Sequence, residues 1–215
     1  MKRHPAPATE ASASAHGIDF PRLYDFLIAV LTGGRDRSYR EDLIDLAGLR
    51  PGDRMLDVGC GTGTQAVAAW PRTQPGGTVA GIDVSEKMLA VARRKARRAG
   101  AKIDFRRADA AQPPFAAASF DVLVFTTVLH MIPESRRRTC IGEAARLLKP
   151  GGRIVLVDYS GDVGTRKHWS AKHGPHARFD LDSMRAPLLE EGFSCVEAGK
   201  LRWFDLYYMR GVKTG

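Results

Sequence analysis

From residue 55 to residue 157, short uninterrupted apolar runs alternate with stretches of helical periodicity, and no other feature restricts the fold so tightly. Met55–Val58, Val79–Ile82, Ile103–Phe105, Val122–Phe125 and Ile154–Val157 read as strands, with helices expected at about 64–70, 86–99, 134–148 and 181–191. A strand that is apolar at every position is covered on both faces, and strand–helix–strand succession closes as a right-handed βαβ unit. The fold class that follows is α/β, a doubly wound and mostly parallel sheet with helices on both faces. Phe193–Ala198 and Trp203–Met209 read as a closing strand pair that turns near Gly199-Lys200.

The helix at 86–99 shows the local signals agreeing. Ser85 is its expected N-cap, Met88, Leu89, Ala92, Ala96 and Ala99 form its apolar stripe, and Gly100 stands where a left-handed terminator is wanted. Arg93, Arg94, Lys95, Arg97 and Arg98 complement the negative end of the helix dipole and are read as a solvated face. Ahead of the alternating region, residues 1–16 are rich in Ala, Pro, Ser and Thr and are expected to form a disordered tail. Residues 17–50 carry two helical patterns, at Ile18–Leu31 and about 38–48, expected to form an N-terminal cap on a single domain at 51–215.

A chain of 215 residues accommodates that domain and little else. Its formal net charge of +9 favours anionic partners without specifying one. Three dispersed cysteines, Cys60, Cys140 and Cys195, argue against a disulfide framework or a structural zinc site. No signal-peptide pattern and no membrane-length apolar run occur, so a cytoplasmic protein is expected.

The first strand runs into a glycine-rich turn, Met55-Leu56-Asp57-Val58-Gly59-Cys60-Gly61-Thr62-Gly63. Doubly wound sheets bind ligands at the carboxyl ends of their strands, where glycines let the backbone approach closely. Asp83 ends the second strand, where an acid can accept from both ribose hydroxyls of an adenosine. Asp109 follows the third strand and is positioned to accept from the exocyclic amine of an adenine. Helix capping and turn formation are the competing readings of both acids. The turn reads G-x-G-x-G, with Thr64 where a dinucleotide fingerprint has its third glycine, and Asp57 would repel a pyrophosphate. A cationic nucleoside with an ammonium group and no phosphate suits it better, and S-adenosylmethionine is such a ligand.

Leu56-Asp57-Val58-Gly59-Cys60-Gly61-Thr62-Gly63 resembles motif I of the class I S-adenosylmethionine-dependent methyltransferases. Gly81-Ile82-Asp83-Val84-Ser85 with Met88-Leu89 is similar to their second motif, and Ala108-Asp109-Ala110 to their third. Ser119-Phe120-Asp121-Val122 and Leu148-Lys149-Pro150-Gly151-Gly152-Arg153 resemble the fourth strand and the turn into the fifth. The wording is closest to the ubiquinone and menaquinone biosynthesis branch. The resemblance implies a Rossmann-like, seven-stranded sheet with a reversed last strand. It also implies that Asp57, Gly59, Cys60, Gly61 and Gly63 line the methionine and ribose portion of the cofactor. Asp83 would hold the ribose, Val84 and Met88 would pack on the adenine, Asp109 and Ala110 would bind its edge, and Thr126 would face the cofactor.

Methyl transfer from a sulfonium is an in-line displacement that needs a base only where the nucleophile arrives protonated. His130, just past the fourth strand, is the candidate base or substrate-orienting residue, against a packing role. Tyr24, Tyr39 and Arg40, on the N-terminal helices, are candidates for the methionine carboxylate or the substrate, and His168 and His173, after the fifth strand, are substrate candidates. His168, His173 and His176 match no standard zinc spacing, so no metal is expected. The expected acceptor is a small molecule, anionic or lipid-like, methylated at O, N, C or S, by a monomer or homodimer. No stable nucleic-acid partner is expected, because Thr126-Thr127-Val128-Leu129 stands where base-methylating relatives keep Asn-Pro-Pro-Tyr. A methyltransferase acting on RNA or protein, with Arg136-Arg137-Arg138 and Arg93–Arg98 as docking surface, is the alternative. A nucleotide-binding oxidoreductase or non-catalytic binding module is the third reading.

Overall fold

The computed structural model describes residues 35–159, 179–203 and 205–215. Seven strands form one sheet in the order β3-β2-β1-β4-β5-β7-β6. They are β1 (Arg54–Val58), β2 (Thr78–Asp83), β3 (Ile103–Arg107), β4 (Phe120–Thr126), β5 (Leu148–Tyr159), β6 (Phe193–Lys200) and β7 (Leu206–Lys213). The first five are mutually parallel, and β7 runs antiparallel to both β5 and β6. The helices are α1 (Asp36–Ala47), α2 (Thr64–Thr73), α3 (Glu86–Arg98), α4 (Glu134–Leu147) and α5 (Arg185–Glu190).

Alternation of side chains along the buried strands feeds two separate cores. Leu56, Ile82, Leu123, Phe125, Ile154 and Leu156 pack on one side with Ile141 and Ala144 of α4 and Leu188 of α5. Met55, Val79, Val122, Val124, Val155 and Val157 pack on the other with Leu43 and Ile44 of α1, Ala66 of α2 and Leu89 of α3. Helix α1 therefore shares the core of the sheet. In α3, Ser85 Oγ accepts from the N–H of Met88 at 3.3 Å, and Gly100 has φ +65, the expected cap and terminator.

Several boundaries differ from the sequence reading. Strand β5 begins at Leu148, which pairs with Phe120 before the register shifts through Lys149–Gly152. Lys149 Nζ lies 2.7 Å from Asp121 Oδ1 and anchors that excursion. The segment expected as one helix at 181–191 divides into a 3₁₀ turn, Leu181–Met184, and α5. The closing hairpin turns after Leu201, and its last strand starts at Leu206; Gly199 and Lys200 are still paired, with Tyr208 and Tyr207. No helix among the described residues is long and apolar enough to cross a membrane.

Candidate functional site

The strand order reverses between β1 and β4, and at such a switch point the loops leaving the two strands diverge and open a crevice. The backbone N–H groups of Gly59 and Cys60 both donate to the carbonyl of Ile82 at 2.9 Å, which ties the glycine turn to the end of β2. Asp83 completes that tie. Its Oδ2 accepts from the N–H of Gly61 at 2.9 Å and its Oδ1 from the N–H of Ser85 at 2.8 Å. Burial raises the Asp83 pKa, and these N–H groups and that of Val84 oppose the rise.

A cleft opens over the turn, lined by Arg40, Asp57, Gly59, Cys60, Gly61, Thr62, Thr64, Gln65 and Thr126. Three buried acceptor atoms in it, Asp57 Oδ2, Gln65 Oε1 and Thr126 Oγ1, have no hydrogen-bond partner. Buried polar atoms normally find partners, so three orphans in one cleft mark the place of a ligand that donates. Burial lifts the Asp57 carboxyl to about 7, opposed by the charge of Arg40, reinforced by Asp83 and opposed by the N–H of Ala66. Three acceptors beside a guanidinium complement a group that is ammonium on one side and carboxylate on the other. Burial, reinforced by Asp57 and Asp83, pushes the Cys60 thiol pKa well up, so Cys60 is a small apolar wall and not a nucleophile.

A family model described as a methyltransferase domain matches residues 55–152. A ubiquinone/menaquinone biosynthesis C-methyltransferase of Cereibacter sphaeroides is 31% identical over 169 residues, which are 76% of this chain and 66% of the relative. The nocamycin O-methyltransferase of Saccharothrix syringae is 43% identical over 122 residues, 56% of this chain and 43% of that one. The chain thus spans two thirds or less of these relatives. A methyltransferase of Aquifex aeolicus, described as S-adenosylmethionine-dependent, superposes with a TM-score of 0.69 at 20% identity, covering 80% of this chain and 88% of its own. The chain belongs to the class I S-adenosylmethionine-dependent methyltransferases.

The cleft brings three orphaned acceptors and the Arg40 guanidinium together, a set chemically complementary to an amino-acid zwitterion. The cleft is small, about 30 Å³. Arg40 is otherwise held by Asp36, with Nε 3.1 Å from Oδ1. Val84 is 36% exposed. Met88 is buried.

Other expected site residues are placed differently. A Cβ on Gly63 would collide with Ala92 and Phe105, so Gly63 serves the packing of the turn on α3 and does not line the cleft. Tyr39 is buried, with its ring edge-on to Trp203 at 5.9 Å between centroids, and is a core residue. Asp109 Oδ1 accepts from the N–H of Ala111, and its Oδ2 is 2.8 Å from Arg136, so an adenine amine would have to compete for it. Ala110 packs against the core on the α4 side of the sheet. Tyr24, His168, His173 and His176 lie outside the described residues.

Structure also adds residues that sequence reasoning missed. Thr62, Thr64 and Gln65 line the cleft; their signal was simply that they continue the glycine turn. Lys95, read as part of a solvated face, reaches Thr62 Oγ1 at 2.8 Å and Thr64 Oγ1 at 2.5 Å. Asp158, directly after the apolar run of β5, holds His130 Nδ1 at 2.7 Å. A lone acid at the carboxyl end of a buried strand was the signal for it. A larger hollow, about 260 Å³, lies between Leu181 and the Lys200, Tyr207 and Tyr208 side of the last hairpin, and none of the expected cofactor residues lines it.

Proposed function

We propose that this chain transfers the methyl group of S-adenosylmethionine to a small-molecule acceptor by in-line displacement. The observation that carries the reading is the convergence of Asp57, Gln65 and Thr126, each with a buried unpartnered oxygen, beside Arg40 in the switch-point crevice. When bound there, S-adenosylmethionine supplies an electrophilic methyl group on a sulfonium. Asp57, Gln65 and Thr126 receive the ammonium, Arg40 receives the carboxylate, Asp83 holds the ribose, and Val84 covers the adenine. These contacts fix the donor in one pose, so the remaining barrier is lowered by alignment and exclusion of water.

A small acceptor is supported by how the basic residues are spent. Arg136 pairs with Asp109, Arg137 donates to the carbonyls of Leu129 and Ile132, and Arg138 pairs with Glu190. A docking surface for RNA needs cations facing phosphate, and each arginine of this run already has a partner on its own protein, Arg136 and Arg138 in exposed ion pairs. His130 stands as the residue that receives or directs the acceptor's proton. Its relatives include proteins named for C-methylation and one named for O-methylation, so the acceptor atom is taken as O, N, C or S.

Calorimetric titration with S-adenosylmethionine and with NADH tests the reading, followed by radiolabelled methyl transfer into metabolite, lipid and RNA extracts. Binding of the first ligand alone and label in small molecules are expected. No affinity for S-adenosylmethionine would remove the proposal, and label confined to RNA would replace the acceptor class.

A further inference from the structure

The tip of the last hairpin is tied to the helix that lines the cleft. Between β6 and β7, Arg202 meets both carboxylate oxygens of Asp42 on α1, with Nε 2.7 Å from Oδ2 and Nη2 2.9 Å from Oδ1. The indole N–H of Trp203 donates to the same carboxylate, at Oδ2. Asp42 and Tyr39 stand three residues apart on α1 and so share a face. Trp203 touches both: its ring meets the buried Tyr39 ring edge-on, with centroids 5.9 Å apart and planes at 70°. The Arg40 guanidinium in turn lies over the Tyr39 ring, 5.0 Å from its centroid. A continuous line of contacts therefore runs from the hairpin, through Trp203 and Tyr39, to the cation that lines the cleft.

Each link has a physical reason. The Arg40 side chain is 9% exposed, and its charge acts on the buried Asp57 carboxyl. A long, flexible cation has many rotamers to lose before it can hold an anion, and that loss weakens binding unless the fold has already restricted it. Two contacts restrict Arg40: the Asp36 carboxylate at 3.1 Å and the Tyr39 ring. Asp36 belongs to the first turn of α1 and travels with the helix, whereas the Tyr39 ring is braced from outside it, by the hairpin. The Arg202–Asp42 pair adds little stability, since Arg202 is 67% exposed. Its effect is directional. One carboxylate holds the indole N–H and two guanidinium nitrogens, and the guanidinium lies 5.1 Å from the Trp203 ring, which seats that ring against Tyr39.

We propose that Trp203, seated by Asp42, is a positioning residue that holds Arg40, through Tyr39, in place for the carboxylate of S-adenosylmethionine. The hairpin thereby takes part in selecting a ligand with a complete amino-acid end over one that lacks the carboxylate. This rests on the reading above, in which Arg40 receives that carboxylate. A guanidinium held in one orientation can offer two parallel N–H groups to a carboxylate, and one free to swing does so only by giving up its rotamers. The residues assigned to the ammonium are Asp57 on β1, Gln65 on α2 and Thr126 on β4. None of them belongs to α1 or the hairpin, so a ligand held by them alone is indifferent to Trp203.

Calorimetric titration of the full chain compares S-adenosylmethionine with its decarboxylated analogue, which keeps the adenosine, the sulfonium and the ammonium. Trp203→Leu is expected to raise the Kd for S-adenosylmethionine about tenfold, the scale of one side chain's lost preorganisation, and to leave the Kd for the analogue within about twofold. Asp42→Ala should act in the same direction, and Asp42→Asn, which still accepts from the indole, should recover part of the loss. Arg40→Gln should weaken S-adenosylmethionine and spare the analogue, and adding Trp203→Leu to it should cost nothing further, because both act on one contact. Urea midpoints show whether each variant folds, and Asp42→Ala decides the matter if Trp203→Leu does not. A role in folding alone would weaken both ligands alike. Equal losses for the two ligands, no loss in a folded Trp203→Leu or Asp42→Ala, or losses that add to those of Arg40→Gln overturn the assignment. Full affinity in Arg40→Gln overturns the carboxylate's place at Arg40, and this proposal with it. Absence of S-adenosylmethionine binding by the wild type overturns the cofactor reading instead.

Discussion

Two glycines of one turn should fail in opposite ways when given a methyl group. Gly61 and Gly63 both have left-handed backbones, with φ of +52 and +72. An alanine in that conformation costs about 1–2 kcal/mol at either position. The surroundings differ. A Cβ on Gly63 would lie 2.7 Å from Ala92 Cβ, 2.9 Å from Phe105 Cζ and 3.1 Å from Ala92 Cα, so α3 itself would have to shift. Overpacking of that kind adds about 1–3 kcal/mol, and Gly63→Ala should lose about 2–5 kcal/mol in all. Against a typical domain stability of about 5–15 kcal/mol this is a large fraction. A Cβ on Gly61 meets nothing within 4 Å, so Gly61→Ala should lose only the backbone cost. Its methyl would stand at the cleft wall, where the cofactor's methionine and ribose are expected, and affinity should fall more than tenfold. Urea unfolding followed by circular dichroism measures the first effect and calorimetric titration the second. Because the backbone cost is common to both variants, their difference in stability isolates the packing against α3. Equal midpoints would refute the packing argument, and full cofactor affinity in Gly61→Ala would refute the placement of the ligand.

Asp57 and Asp83 give two further tests. The Asp57 carboxyl titrates near 7 in the fold, above its unfolded value, because burial outweighs Arg40; its ionisation therefore withdraws stability as pH rises from about 4 to 7. Asp57→Asn should unfold at higher urea than wild type at pH 8 and show little gain at pH 4; a gain of equal size at both would contradict this. A cationic ligand prefers the ionised carboxylate, so affinity for S-adenosylmethionine should rise from pH 6 to pH 8 with proton release at the lower pH, and affinity independent of pH would count against Asp57 as the ammonium partner. Asp83→Ala removes the acceptor of two turn N–H groups and should cost about 1–3 kcal/mol of stability as well as more than tenfold in cofactor affinity. Calorimetry that finds unchanged affinity would take Asp83 out of the site.

The fold and the glycine turn of the candidate site were legible because both rest on local pattern. Continuous apolar runs such as Val122–Phe125 can only be strands covered on two faces, and glycines straight after Val58 can only be a tight turn at a strand end. Asp57 came from its position just before that turn and Arg40 from its place on the N-terminal helices, and the structure brings the two to one cleft. Boundaries failed where pairing overrode propensity. Pro150 and Gly151 read as a turn, yet Leu148 pairs with Phe120 and Lys149 is anchored by Asp121, so β5 starts early.

By itself, then, the sequence determined the element types, their order and the glycine turn, since periodicity and backbone freedom act over a few neighbouring residues. Only the tertiary structure decided what the polar side chains do, because their partners are distant in the chain. Lys95 became a brace for Thr62 and Thr64, Arg136 a partner for Asp109, Tyr39 a core residue, and Asp158 the partner of His130. A charged group's role is set by whatever donor or acceptor the fold carries to within about 3 Å of it, and that distance is a property of the assembled sheet.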